Sequence, residues 1–238
     1  MSGWNYNSFY KNLSTLIKKF SAYNIPVELG NLRKLESAIY SQINYNGKFN
    51  IDAKEIIINI NHCISGTTPI AIKDFIIHFD HYILIDSTRD YYKKDLIEKY
   101  AFDIQIVGYD EDAKEYNYAW HLDKNITSAD PKYTHPYYHF QGGGQKLEGM
   151  ETGEILLIDF PRIPHPPMDL FLGLHFIINN FISSKDVPKK LDLLNDHDYQ
   201  SIIIDSQKLM WDIYFKSFEV DCRHDDFNFK NVFPLYIH

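Results

Sequence analysis

The stretch AFDIQIVGYDEDAKEYNYAWH, residues 101–121, contains two alternating segments separated by an acidic turn. In the first segment Phe102, Ile104 and Ile106 occupy every second position, and in the second segment YNYAW places an aromatic residue at every second position. A period of two is typical of a strand with one buried face. The polar sequence DED between the segments favours a turn. We therefore predict an antiparallel hairpin.

The segments that follow the hairpin extend the predicted sheet. Residues 136–141 predict a short third strand, and residues 154–160 predict a fourth strand that is nearly all apolar and therefore central. Together the four strands form an antiparallel meander. The next segment, residues 161–167, is too rich in proline for regular structure.

Two helices are predicted after the proline-rich segment. Pro167 suits the first position of a helix over residues 168–181, with Asp169 in the first turn near the positive end of the helix dipole. This segment is apolar almost all round, so we expect the helix to be buried. Residues 198–218 predict a last, long helix from their apolar spacing.

The amino-terminal part shows mainly helical spacing, with apolar residues three or four positions apart. The predicted helices cover residues 6–20, 28–43, 68–79 and 90–100. In the last of these, Tyr92, Leu96 and Ile97 are expected to face inward. Residues 54–60 (KEIIINI) fit either a strand or a short helix, and residues 82–86 (YILID) either extend the preceding helix or form a strand.

These elements predict one α+β domain with amino-terminal helices, a central and mostly antiparallel sheet, a buried helix and a long carboxyl-terminal helix. In this scheme residues 1–100 are mainly helical, residues 101–167 form the sheet part, and residues 168–238 are mainly helical.

Composition and charge limit the classes of function. The chain has 238 residues and a formal net charge of −8 at pH 7, which excludes a basic field over the whole surface. A local basic groove stays open, for example at Lys93-Lys94 or Lys189-Lys190. The two cysteines, Cys63 and Cys222, form no CxxC pair, so we expect free buried thiols rather than a zinc site.

The amino terminus and the apolar runs predict a location in the cytoplasm. The first residues lack the basic and apolar regions of a signal peptide. No apolar run approaches the roughly 20 residues that span a bilayer. We therefore expect a cytoplasmic protein that does not contact a membrane.

The motif HPYYH places His135 and His139 four residues apart. On a helix this spacing would put both rings on one face, as in metal-binding helices. Pro136 disfavours a helix here, and on a strand the two positions lie roughly 13 Å apart. That separation is too large for a shared metal ion. We predict two histidines with separate roles, with no metal ion and no cofactor.

His121 ends the second strand of the hairpin and could approach His135 or His139 across the ladder. A histidine pair supported by Asp159 or Glu154 could carry out general acid–base catalysis near neutral pH. We therefore select the three histidines as candidate catalytic residues. The alternative is that they are partly exposed sheet residues with no common task.

Gly142, Gly143 and Gly144 follow the motif directly and allow positive φ angles. Their amides could bind an anion, although no GxGxxG or Walker pattern surrounds them, and a hairpin turn or flexible loop is the alternative. Arg162 and His165 lie in the proline-rich segment, at the exit of the predicted central strand. Arg162 could bind a phosphate or carboxylate, or could pair with Asp159.

The arrangement HP-x-x-H-x-x-G, an apolar strand, RIP-x-x-P-M and a buried helix ending in NF resembles a family of bacterial proteins associated with phage-defence, toxin–antitoxin and mobile-element loci. The resemblance covers residues 116–181, about a quarter of the chain. It implies a bacterial, cytoplasmic, defence-linked protein and carries no established reaction. The matching residues are His135, Pro136, His139, Gly142, Arg162, Ile163, Pro164, Met168 and the helix through Phe181.

Three hypotheses of function follow. The first is a component of a bacterial defence or toxin–antitoxin system whose His/Arg site contacts RNA, DNA, a nucleotide or a partner. Its enzymatic form is metal-independent phosphodiester cleavage of the ribonuclease type, with Arg162 on the phosphate. The second is a non-catalytic binding or scaffold subunit that assembles with a protein encoded nearby. The third is a metal enzyme in which the histidines are ligands.

Overall fold

The computed structural model of the chain describes residues 4–45, 47–61, 72, 74–125, 135–143, 163–219, 221 and 223–232. Within these residues the helices are α1 (Tyr6–Ala22), α2 (Leu29–Tyr40), α3 (Leu170–Phe181), α4 (Lys190–Leu194), α5 (His197–Lys216) and α6 (Phe229–Val232). The strands are β1 (Phe49–Ile60), β2 (Asp74–Ile85), β3 (Ile97–Tyr109), β4 (Glu115–Lys124), β5 (Tyr138–Gly142) and β6 (Ile163–Pro164).

The six strands form one antiparallel sheet in which neighbours in sequence are neighbours in space. The α+β fold class is confirmed, and β3, β4 and β5 have the order predicted for the first three strands of the meander. The hairpin between β3 and β4 is also confirmed, with Gln105 opposite Ala119 near its middle.

Several predictions concern parts of the chain outside the described residues. They are the helix start at Thr68-Pro69, the strand over residues 154–160, the two cysteines, Asp159, Arg162 and Gly144.

The strand β2 replaces the helix predicted over residues 68–79 wherever the chain is described. Phe75, Ile77 and Phe79 are buried, while Ile76 and His78 between them are partly exposed. Their burial therefore has a period of two. The residues 75 and 79, four apart, fit both periods, and hydrogen bonding to strands on both sides selects the extended form. With β1 also a strand, the expectation that residues 1–100 are mainly helical is wrong beyond α2.

The charged helix predicted over residues 90–100 is also wrong. A turn held by amides of Lys93 and Lys94 donating to the Asp90 carbonyl precedes β3. Tyr92, expected to face inward, is 74% exposed, whereas Leu96 and Ile97 are buried as expected. The side chain of Asp90 accepts a hydrogen bond from the Tyr92 amide, which is the local bonding by which aspartate favours turns.

The predicted amino-terminal helices are confirmed as α1 and α2. Asn5 caps α1, since its side chain accepts a hydrogen bond from the Ser8 amide at 2.8 Å. The helix ends before Asn24, which has a φ of 54° in the left-handed region that asparagine tolerates. The buried face of α1 packs on the sheet, with the Phe9 ring 5.5 Å from the Phe49 ring of β1.

The buried helix α3 lies against the middle of the sheet. It begins at Leu170, so Asp169 is the N-cap residue rather than a first-turn residue as predicted. Asp169 accepts a hydrogen bond from the Leu172 amide at 2.9 Å and another from the Ser206 hydroxyl of α5 at 2.7 Å. The side chain is buried, and this burial raises the pKa of Asp169 to about 6.

The helices α1 and α3 cover one face of the sheet, which we call the inner face. It carries the largest part of the apolar core. Phe79 and Phe102 point from this face at α3, where they surround Gly173. The opposite, outer face carries the alternate residues of each strand, such as Asp103 and His121.

His81 is a buried histidine on the inner face. Its Nδ1 donates to the Ala101 carbonyl at 3.0 Å, and its Nε2 has no hydrogen-bond partner among the described residues. Burial lowers the pKa of His81 from 6.5 to about 4. The unfolded chain therefore binds the proton more readily than the folded chain between these two pH values, and stability falls as the pH drops through this window.

Replacing His81 by leucine should remove this pH dependence. We expect the stability of His81→Leu relative to wild type to rise by about 3 kcal/mol between pH 7 and pH 4. Urea unfolding of both proteins across this range measures the difference. The titration of Asp169, which acts in the opposite direction, is common to both proteins and is subtracted. A difference that does not change with pH would contradict the assignment.

Candidate functional site

A row of polar residues crosses the outer face of the sheet through four strands. Asp80 of β2 lies opposite Asp103 of β3, which lies opposite His121 of β4, which lies opposite Gln141 of β5. Directly opposite residues of an antiparallel pair have their Cβ atoms about 5 Å apart and share a face. The register therefore surrounds His121 with polar neighbours on two sides.

His121 contacts Asp123 on the same strand. The His121 Nε2 atom lies 3.2 Å from Asp123 Oδ2, and the histidine side chain is 15% exposed. Positions two apart on a strand share a face, and β4 continues through Asp123 to Lys124, beyond the predicted end of the strand at His121. With Nε2–H donating to the carboxylate, Nδ1 carries the lone pair of the neutral ring.

His135 and His139 contact each other, with ring centroids 4.5 Å apart and the rings at 77°. The predicted separation of roughly 13 Å is therefore wrong. It assumed that both residues belong to one strand, whereas β5 begins at Tyr138 and the chain before it is not extended along the ladder. A hydrogen bond from His139 Nδ1 to the Pro136 carbonyl, at 3.3 Å, closes this short turn.

The His121–Asp123 pair and the His135–His139 pair lie next to each other where β4 pairs with β5. Asp123 lies directly opposite His139 in the register, so His121 and His139 are diagonal neighbours on the outer face. Diagonal positions are about 7–8 Å apart, and His139 is buried, with 1% of its surface exposed. We call His121, Asp123, His135 and His139 the outer-face histidine cluster.

The remaining candidate residues do not join this cluster in the described part of the chain. The His165 ring packs at 5.7 Å on Phe140, which belongs to the inner face, and its Nδ1 donates to the Pro166 carbonyl. Gly142 lies opposite Trp120, also an inner-face residue. Arg162 and Gly144 lie outside the described residues, so their relation to the cluster stays a prediction.

Gly143 has a φ of 89°, a conformation that glycine adopts without strain. Its amide donates to the Ala119 carbonyl at 2.8 Å and so extends the ladder beyond β5. This amide is engaged within the sheet, which favours the turn interpretation of the glycine run over the anion-binding one.

The cluster has the chemistry of a general acid–base site. In both His121 and His139 one ring nitrogen contacts a protein oxygen, the Asp123 carboxylate and the Pro136 carbonyl respectively, and imidazole is the side chain best suited to proton transfer near neutral pH. Asp123 orients its histidine through this contact. Among the described residues, no three His, Cys, Asp or Glu side chains are placed to hold a metal ion together.

Asp123 is a member of the cluster that the sequence did not predict.

His175 of α3 is hydrogen-bonded to a neighbour as a core histidine would be, with its Nδ1 2.9 Å from the Tyr199 hydroxyl. Asn179 continues this contact from the next turn of the helix, 2.9 Å from the His175 Nε2. These residues join α3 to α5 and stand apart from the cluster.

Comparison of the chain with family models, with curated proteins and with solved structures gives no match. A search of the described helices for a membrane span finds none that is long and apolar enough.

Proposed function

We propose that this chain is a component of a bacterial defence or toxin–antitoxin system that cleaves RNA, without a metal ion, at the outer-face histidine cluster. The observation that carries the proposal is the placement of the His121–Asp123 pair beside the His135–His139 pair on one ladder. The link to defence and the cytoplasmic location come from the sequence resemblance and composition.

The reaction needs only a base and an acid. His121 takes the proton of the ribose 2′-hydroxyl, whose oxygen then attacks phosphorus. His139, in its protonated form, gives a proton to the leaving 5′ oxygen as the P–O5′ bond breaks. The products are a 2′,3′-cyclic phosphate and a 5′-hydroxyl end. DNA has no 2′-hydroxyl, so this chemistry selects RNA.

The charges around the cluster shape how the substrate binds. Asp103 and Asp123 flank His121 and disfavour a phosphate group close to them. The phosphate contact in this proposal is Arg162, which immediately precedes β6 in the sequence. We expect a short RNA segment, bound weakly and more weakly still at high salt.

RNA turnover by histidine variants tests the proposal. We expect the wild type to cleave a labelled RNA oligonucleotide in EDTA and to leave the DNA of the same sequence intact. His121→Ala and His139→Ala should each lower kcat/KM by about 100-fold or more. Quantification of the cyclic-phosphate product over time gives these rates.

His165→Ala is the matched control, because His165 is a partly buried histidine on the inner face. It should retain wild-type turnover. Equal turnover in the wild type and all three variants, or an inert wild type, would exclude the enzymatic function.

The second candidate is a non-catalytic binding or scaffold subunit, and the surface of α5 favours it. Ile204 and Phe215 of α5, with Phe218 just after the helix, are 46%, 50% and 52% exposed. Exposed apolar residues grouped on one element are typical of a protein contact. An inert wild type in the turnover assay, together with a stable complex with a protein encoded nearby, would favour this function.

A further inference from the structure

A buried ion pair lies on the inner face directly beneath the start of β5. Lys124, the last residue of β4, places its Nζ 2.8 Å from Asp95 Oδ2, and the two side chains are 8% and 4% exposed. The same carboxylate oxygen accepts hydrogen bonds from the hydroxyls of Tyr138 at 2.8 Å and Tyr137 at 3.2 Å. The Lys124 ammonium group lies 5.3 Å and 5.9 Å from the centroids of these two tyrosine rings.

A carboxyl-terminal segment, residues 223–232 and called the strap here, covers this ion pair. Phe227 is 1% exposed, with its ring 5.6 Å from the ring of Tyr137 and 6.0 Å from that of Tyr138. Asp226 accepts a hydrogen bond from the Asp95 amide at 2.8 Å. The strap thus packs on Tyr137 and Tyr138, and it is hydrogen-bonded to the backbone of Asp95, whose carboxylate accepts from both tyrosine hydroxyls.

The strap closes on itself through His224 and Asn231. The His224 Nδ1 accepts hydrogen bonds from the amides of Asp226 at 3.2 Å and Phe227 at 2.9 Å. The Asn231 side chain donates to the carbonyls of Asp225 and Asp226, both at 3.3 Å. These bonds give a short segment a defined shape.

The backbone between the two cluster histidines is bonded on both sides. The Tyr137 amide donates to the Asn231 carbonyl of the strap at 2.9 Å, and the Tyr137 carbonyl accepts from the Asn125 amide at 2.8 Å. The Asn125 side chain also donates to the His135 carbonyl at 3.3 Å. Residues 135–138 therefore lie between the strap and the end of β4.

We propose that the strap and Asn125 form a positioning device for His135 and His139. They hold the turn that brings the two rings into contact. His139 therefore stays opposite Asp123, and the His135 ring packs against the His139 ring. The role in catalysis rests on the proposed function, whereas the role in holding the two rings does not. These are positioning residues, because they act on the cluster through the backbone of residues 135–138.

Loosening the strap tests this inference. In Phe227→Ala we expect the ring ¹H–¹³C NMR signals of His135 and His139 to shift, while that of His121 stays in place. RNA cleavage should lose about 10- to 100-fold in kcat, with KM changed less than about twofold, because misplacing an acid slows the reaction more than it weakens binding. Phe227→Leu, which refills most of the buried volume, should restore both readouts.

Leu191→Ala is the control, since Leu191 is exposed on α4 and its replacement should move neither readout. If Phe227→Ala does not fold, Asn125→Ala carries the test through its contact with the His135 carbonyl. A folded variant of either kind with unmoved His135 and His139 signals would overturn the inference. An inert wild type would exclude the proposed cleavage, and the NMR shifts would still decide whether the strap positions the two rings.

Discussion

Replacing Asp95 by alanine should lower the free energy of unfolding by about 3–5 kcal/mol. The substitution leaves the Lys124 ammonium group buried without its carboxylate, and it removes the acceptor of two tyrosine hydroxyls. It also removes the hydrogen bond, 2.9 Å long, that the Ile97 amide donates to Asp95 Oδ1. A buried charge that loses its partner is among the most destabilising changes in a protein.

Urea denaturation at pH 7 measures the effect. The matched control is Asp225→Ala, because Asp225 pairs with Lys94 at 3.1 Å with both side chains more than half exposed. An exposed pair of this kind contributes about 0–1 kcal/mol. The double variant Asp95→Leu/Lys124→Met removes both charges and should recover much of the loss. A loss below about 1 kcal/mol in Asp95→Ala would show that the pair is not desolvated as the structure has it.

Replacing Gly173 by valine should lower the free energy of unfolding by about 3 kcal/mol or more. A Cβ atom at this position of α3 would lie 2.4 Å from Phe79 Cζ and 2.7 Å from Phe102 Cε2. Both rings are fully buried, so neither can swing into solvent to relieve the clash. The helix would have to move away from the sheet and lose contacts along its length.

The matched control for this change is Gly30→Val on α2, where a Cβ atom would have no neighbour within 4 Å. It should change stability by less than about 1 kcal/mol. Adding Phe79→Leu to Gly173→Val should recover part of the loss, since it shortens the side chain that clashes. Thermal and urea unfolding of the wild type, Phe79→Leu, Gly173→Val and the double variant give the coupling between positions 79 and 173. Additive effects would contradict the contact.

Local patterns were enough to predict elements that carry one clear period. The alternation in residues 101–121 predicts the β3–β4 hairpin, and the three- and four-residue spacing around Phe9 and Phe20 predicts α1. In α1, and over residues 102–106 of β3, the buried side chains lie on one face. The order of apolar and polar residues then indicates directly which side chains are buried.

Elements with an ambiguous period could not be predicted in this way. In β2 the aromatic residues Phe75 and Phe79 are four apart, a spacing that belongs to both a helix and a strand. The strands β1 and β3 on either side determine the outcome, and no window of β2 contains that information. The charged segment over residues 90–100 failed for a related reason, because the Asp90 turn and the buried Asp95 belong to contacts with the strap.

The candidate site, too, could be predicted from the sequence only in part. The histidines at 121, 135 and 139 could be selected from the sequence, because imidazole groups gathered in one segment suit acid–base chemistry. The assignment of Asp123 to His121 requires knowing that β4 is extended there. The contact between His135 and His139 requires the turn before β5, which depends on Asn125 and on a strap about a hundred residues away in the chain.

Residue order alone determined the α+β class, the β3–β4 hairpin, the helices α1 and α5 and the choice of the histidines as candidate site residues. These features depend on periodicity and chemical type over a few neighbours. The strand state of β2, the polar row across four strands and the meeting of the histidines depend on register and long-range packing. These come from parts of the chain that are distant in sequence. Local preferences there are weak, and pairing and burial outweigh them.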